Sequence, residues 1–209
     1  NLGDITLRAL ETFKSVDFVL CEDTRNSKNL MDRYEIKKTL ISYHQHSDQK
    51  KIKEIIALLE SVKNLALITD AGTPGISDPG NLLIRDLRTK IPDLKIIPIP
   101  GASAIISALS VSGFPTDKFV FLGFPPNKNK RQKFFQEAAQ FPYTICFYES
   151  CHRIEKCIGE IGEFFAPERK ILIARELTKQ FESFYIGTVG GLASMRIPAK
   201  GEFVVVISN

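Results

Sequence analysis

The densest concentration of chemistry-bearing residues in the 209-residue chain is Asp70-Ala71-Gly72-Thr73-Pro74-Gly75-Ile76-Ser77-Asp78-Pro79-Gly80, directly after the apolar run 65–69. Glycine has no side chain to hold a ligand off, and proline keeps a loop from collapsing on itself, so this stretch suits close approach of backbone to a bound molecule. In an α/β sheet, ligands bind at the carboxyl ends of strands. A second loop of the same kind, Pro98-Ile99-Pro100-Gly101-Ala102-Ser103, follows the run 95–97 and opens a helix of small and branched residues. Two such loops at neighbouring strand ends would floor a ligand cleft. Neither carries the P-loop lysine pattern and GxGxxG is absent, which disfavours a nucleoside triphosphate or a classical dinucleotide.

Three further apolar runs end in mixed acid and base: Glu22-Asp23-Thr24-Arg25 after 16–21, Tyr148-Glu149-Ser150 with His152-Arg153 after 144–147, and Arg175-Glu176-Leu177-Thr178-Lys179 with Glu182 after 171–174. Carboxylates, imidazole and amine can exchange protons, and guanidinium groups meet phosphate bidentately. Taken singly, each of these ends also fits an ordinary salt-bridged loop.

The elements that must position these groups follow from periodicity. Runs at 16–20, 65–69 and 96–100 read as strands, while residues 50–62, with apolar positions 52, 55, 56 and 59, and residues 82–87 read as helical. Short continuously apolar strands alternating with helices imply a parallel sheet covered on both faces, so the first half is a doubly wound α/β domain. A helix from Ala102 stops at Gly113-Phe114-Pro115, which sets the expected domain boundary between residues 113 and 114. In the second half, strands are expected at 119–124, 144–148, 171–174 and 203–208, with helices near 131–140 and from His152.

Composition agrees with a globular protein: 44% of residues are hydrophobic, 25% are charged and the net charge is +4. That balance permits a nucleic-acid partner without requiring one, and the basic clusters Lys50-Lys51-Lys53 and Lys128, Lys130, Arg131, Lys133 also fit solvated helix faces. The opening Asn1-Leu2-Gly3-Asp4 lacks a signal-peptide pattern and no apolar run reaches membrane-spanning length, so a cytoplasmic address without membrane association is expected. Cys21 and Cys146 sit in strand-like runs, and the spacing of Cys151 and Cys157 fits no usual zinc pattern, so neither disulfides nor a metal are expected.

Taken together, GD at 3–4, EDTR at 22–25, ISYHQH at 41–46, DAGTPGISDPG at 70–80, PIPGAS at 98–103, FPTDKFVFLGFPP at 114–126, FYESCHR at 147–153, ARELTKQFE at 174–182 and KGEF at 200–203 resemble the ribosomal RNA small-subunit methyltransferase I family. These are cytidine 2′-O-methyltransferases of the tetrapyrrole-methylase superfamily, and the likeness runs end to end. It implies two α/β domains, 1–113 and 114–209, with S-adenosylmethionine in a cleft between them. Family members usually begin with a strand and a Pro-Ile-Gly turn ahead of the position matching Asn1, and many run past the last strand, so the chain reads as trimmed.

The resemblance also implies site residues. Thr73, Pro74, Gly75, Ile76, Ser103 and Ala104 would approach the cofactor from the first domain, and Tyr148, Ala174, Glu202 and Phe203 from the second. Arg25, Arg153 and Arg175 would grip RNA phosphates. A base should take the ribose hydroxyl proton, with Glu149, Lys179, Asp23 and His152 as candidates and the first two favoured. The expected partners are small-subunit ribosomal RNA, or the assembled subunit, and a second copy of the chain. Two other readings are a corrin or porphyrin methylase on the same fold, which the cationic strand ends count against, and a noncatalytic RNA-binding module, which would not need the glycine–proline loops.

Overall fold

The computed structural model describes residues 1–44, 47 and 49–209, so Gln45 and His46 of the ISYHQH segment, and Asp48, lie outside the described residues. Two compact units result, Asn1–Ser103 and Ala104–Asn209.

In the first unit, α1 (Leu7–Ser15) is capped by Thr6, whose hydroxyl accepts the Ala9 amide at 3.2 Å. It is followed by β1 (Phe18–Cys21), α2 (Thr24–Arg33), β2 (Thr39–Ser42), α3 (Gln49–Glu60), β3 (Leu65–Ile68) and α4 (Asn81–Lys90). The sheet runs β2-β1-β3, all parallel, with Cys21 in register with Ser42 and Ile68. Its central strand is apolar throughout because both faces are covered. Val19 packs with Phe13, Val16, Met31 and Ile36, whereas Leu20 packs with Tyr43, Ile52, Ile55, Leu83 and Leu87. The register brings the three carboxyl ends to one edge.

The strand expected at 96–100 joins no ladder among the described residues. Pro98 and Pro100 have no N–H to donate, and side chains take their carbonyls instead: Arg8 Nη2 donates to Pro98 O and Thr6 Oγ1 to Pro100 O, each at 3.3 Å.

The second unit begins one helix earlier than the expected boundary. α5 (Ala104–Ser112) buries Ile105, Ala108 and Leu109 against Cys146, Leu172, Val204 and Val206 of this unit's sheet, so Gly113 ends a helix and not a domain. There follow β4 (Phe119–Phe121), α6 (Arg131–Ala139), β5 (Thr144–Ser150), α7 (Ile154–Phe164), β6 (Lys170–Arg175), β7 (Ser183–Thr188) and β8 (Glu202–Ile207). The sheet order is β4-β5-β8-β6-β7; β4 and β5 are parallel and every other pair is antiparallel. The second half therefore does not continue the parallel pattern of the first. α6 and α7 cover the face opposite α5, around Phe135, Phe147, Ile161 and Phe203.

Phe147 is fully buried in that core, while Ile186 on the edge strand is 57% exposed. Phe147→Ala is expected to cost about 3–5 kcal/mol and Ile186→Thr less than about 0.5 kcal/mol, measured as shifts of the denaturant unfolding midpoint. Equal shifts would contradict this assignment of core and surface.

Candidate active site

In the first unit, the parallel strands deliver Asp23, Tyr43 and Asp70 to one edge of the sheet. Asp23 caps α2, accepting the Arg25 amide at 2.8 Å and pairing with its guanidinium at 2.6 Å. Those hydrogen bonds to Arg25, side chain first and backbone second, hold the Asp23 carboxyl down at about 2. Next to it, Asn26 Nδ2 donates to Asp70 Oδ2 at 2.9 Å and ties the start of α2 to the glycine–proline loop.

That loop turns on left-handed backbone at Gly72 and Gly75, and closes where Gly75 N donates to Pro79 O at 3.2 Å. Gly80 has φ 139°, and a Cβ there would lie 2.9 Å from Leu67 Cδ2. The residue is glycine because this φ is strained for any side chain, whose Cβ would also press on the Gly75 amide nitrogen at 3.2 Å. Thr73 Oγ1 donates to Ala102 O at 3.5 Å, so the two glycine–proline loops meet. Between Tyr43 and residues 75–82 lies a recess of about 180 Å³. A side chain added at Gly101 would meet nothing within 4 Å, and none added at Gly72 would meet anything closer than 4.0 Å. Open backbone with the hydroxyls of Thr73 and Ser103 beside it suits a nucleoside cofactor with polar edges.

In the second unit, the strand ends are occupied by ion pairs. Glu149 is 1% exposed and both of its carboxylate oxygens are committed: Oε2 to Arg131 at 2.8 Å, and Oε1 to Arg153 at 2.9 Å and to the Ser150 amide at 2.8 Å. Arg131, itself 2% exposed, also pairs with Glu160 at 2.7 Å. Burial lowers the Arg131 pKa, but the hydrogen bonds to Glu149 and Glu160 outweigh it and the net direction is up. Lys179 bonds Glu202 at 2.8 Å and Glu176 at 3.1 Å. Partial burial again pulls its pKa down and the two carboxylates more than restore it, so Lys179 is an ammonium at neutral pH. His152 is exposed, in the turn between β5 and α7.

The residues expected at the site thus separate. Tyr148 and Ala174 both register with Val204 and share one face of the sheet, but the Ala174 side chain is fully buried. Phe203 is 2% exposed in the opposite core, so neither of these two side chains is open to a cofactor. Glu202 is exposed beside Lys179. Of the arginines, Arg25 is 88% exposed. Arg153 Nη1 instead binds Pro125 O at 3.1 Å and Asn127 Oδ1, and Arg175 binds Lys200 O at 2.5 Å and Phe181 O at 2.9 Å. These two guanidinium groups clamp loops. Asn26 and Glu160 escaped the sequence reading, and Arg131, read there in a basic cluster that also fits a solvated helix face, is buried instead. Arg131 left a signal, since it lies four and seven residues before the buried Phe135 and Ala138, on the inward stripe of α6.

Arg25→Ala should let the Asp23 carboxyl rise from about 2 toward the ordinary 3.8, read by carbon-13 NMR titration. Because the folded value is depressed, the stabilisation from this pair is present above about 3.8 and is lost as pH falls toward 2. An unchanged titration in the variant would mean that Arg25 does not hold Asp23.

No described helix is long and apolar enough to cross a membrane, and the described residues hold no cluster of three or more histidine, cysteine or acidic side chains able to bind a metal. Residues 1–193 match the family model of tetrapyrrole (corrin/porphyrin) methylases. The chain is 43% identical to the ribosomal RNA small subunit methyltransferase I of Synechocystis over 100% of this chain and 75% of the relative. With the Thermotoga maritima protein of the same name it shares 40% identity, covering 100% of this chain and 94% of that one. The crystal structure of the methyltransferase CobJ superposes with a TM-score of 0.71 at 17% identity, over 99% of this chain and 89% of that chain, which shows a common fold. Loops, strands and sequence identity converge: the chain belongs to the tetrapyrrole methylase family, in its ribosomal RNA small subunit methyltransferase I branch.

Proposed function

We propose that this chain transfers a methyl group from S-adenosylmethionine to the ribose 2′-hydroxyl of a cytidine in small-subunit ribosomal RNA, in the cytoplasm. The observation that carries the reading is the depth of the likeness: 43% identity over the whole chain with the ribosomal RNA small subunit methyltransferase I of Synechocystis. When bound, S-adenosylmethionine supplies an electrophilic methyl on a sulfonium. Thr73, Pro74, Gly75, Ile76 and Ser103 are the residues of the first unit assigned to hold it.

The chain must align the acceptor oxygen and remove its proton, and alignment supplies most of the acceleration. Glu149 has both carboxylate oxygens committed to Arg131, Arg153 and the Ser150 amide, which leaves neither to meet a ribose hydroxyl. Lys179 already carries its proton, and Asp23, held at about 2, has little basicity. His152 remains, with an exposed imidazole in the turn that follows β5. His152 is therefore assigned as the base and Arg25 as the phosphate contact.

Tritium transfer from labelled cofactor to undermethylated small subunits is expected, with none to a porphyrin precursor. Thr73→Trp should abolish cofactor binding in calorimetry. His152→Ala should slow single turnover by about 10²-fold or more with cofactor binding intact, whereas Arg25→Ala should raise KM for RNA with little change in kcat. Preferential methylation of the porphyrin would overturn the substrate, and an unchanged rate in His152→Ala would overturn the base.

The expectation of a homodimer is retained as part of this proposal. It is supported by the outer edge strand β7, where Phe184 and Ile186 are 41% and 57% exposed on one face, next to Phe181 at 62%. An exposed apolar edge invites a partner. Sedimentation should give a dimer that Ile186→Lys dissociates; a monomeric parent chain would refute it.

A further inference from the structure

Residues 123–130 connect β4 to α6, and nothing assigned above uses them. Their backbone is held from beneath. Arg131 Nη1 donates to Pro126 O at 3.3 Å, Arg153 Nη1 donates to Pro125 O at 3.1 Å and to Asn127 Oδ1, and buried Glu149 fixes both arginines. Gly123 adopts φ 68° and its carbonyl accepts the Tyr148 amide at 2.8 Å. Two consecutive prolines remove most of the remaining freedom. On top of this support sits Phe124, 49% exposed, with its ring 5.2 Å from that of Tyr148, which in turn contacts Phe121 edge-on at 5.1 Å. Lys128 and Lys130 are exposed on the same loop.

A half-exposed aromatic ring on a rigid support, with two ammonium groups a few residues away, is the combination by which proteins bind unpaired nucleic acid: a base stacks on the ring and lysines follow the backbone. We propose that residues 123–130 form a stacking subsite for an unpaired base of the RNA substrate, and that Glu149 is a positioning residue that keeps Phe124 in place through Arg131 and Arg153. The proposal rests on the rRNA reading above. It also accounts for a carboxylate buried under two guanidinium groups beside a strand end: the charge orders a loop and takes no part in proton transfer. Preorganisation of this kind lowers the ordering cost of binding.

The probe is a short single-stranded pyrimidine oligoribonucleotide followed by fluorescence anisotropy, with turnover on undermethylated small subunits measured alongside. Phe124→Ala, which removes a half-exposed ring, should weaken the oligonucleotide by on the order of 5–100-fold and raise KM for subunits with kcat and cofactor affinity unchanged. Phe124→Trp should restore binding. Lys128→Gln with Lys130→Gln should reduce the log–log salt slope by about 1.4, or about 0.7 for each phosphate that no longer meets a lysine. Glu149→Gln should reproduce the Phe124→Ala change in KM and leave no further loss when the two are combined. Parent-like RNA binding by Phe124→Ala overturns the subsite alone, as does a loss of cofactor affinity in its place. A parent chain that binds no RNA overturns the rRNA reading and the subsite with it.

Discussion

Moving Glu149 and Arg131 out of water costs several kcal/mol per ion, and the second unit is arranged around meeting that cost. Glu149 comes from β5, Arg131 from the first turn of α6, Glu160 from α7 and Arg153 from the turn ahead of α7, so one cluster of charges joins β5 to both helices on that face of the sheet. Arg131 is the shared member: it pairs with both Glu149 and Glu160, so its removal takes a partner from two buried carboxylates at once, and breaking a buried pair costs about 3–5 kcal/mol in comparable cases. A hydrophobic substitute of the same volume could fill the space. It could not hold the carbonyls of Pro125 and Pro126, which need donors.

The first unit solves a different problem with backbone in place of charge. Its parallel sheet is apolar on both faces, so polar groups are confined to the edge where the strands end, and there the chain uses glycines and prolines to make a rigid surface with few side chains. The hydrogen bond from Thr73 to Ala102 and the one from Asn26 to Asp70 join segments that lie 29 and 44 residues apart. What results is a floor of open backbone with short hydroxyls, next to a carboxylate kept ionised by its arginine.

Much of this was legible in the sequence, and the exceptions have physical causes. Continuous apolar runs gave away β1, β3, β5, β6 and β8, and the glycine–proline loops announced themselves by composition. β7 passed unnoticed because its Ser-Phe-Tyr-Ile-Gly-Thr run covers the core with alternate residues only and leaves apolar side chains outside. Strand direction in the second sheet was equally hidden, since a buried strand is apolar whichever way its neighbour runs. At the strand ends, acid and base were legible by type but their partners were not: the structure gives Arg153, Arg175, Glu149 and Lys179 a hydrogen-bonded partner each. Charge neutralisation is a long-range property. One partner each of Glu149 and Lys179 is local, Arg153 four residues after Glu149 and Glu176 three before Lys179, but Arg131 and Glu202 lie 18 and 23 residues away and no local pattern marks those two.

The order of strands in the second sheet has a consequence for how the molecule is made. β8 lies between β5 and β6, hydrogen-bonded to both, yet it is the last strand along the chain. During synthesis the first unit can close its parallel sheet as soon as β3 and α4 have left the ribosome. The second must wait with two apolar strands unzipped until residue 207 emerges. Over that interval β5 and β6 expose unpaired edges, the condition under which nascent chains aggregate or recruit chaperones, and the long sequence separation of the β5–β8 pair slows closure once it becomes possible. Vectorial folding would therefore proceed in two stages of unequal risk, the cofactor-loop half early and the loop-clamping half late.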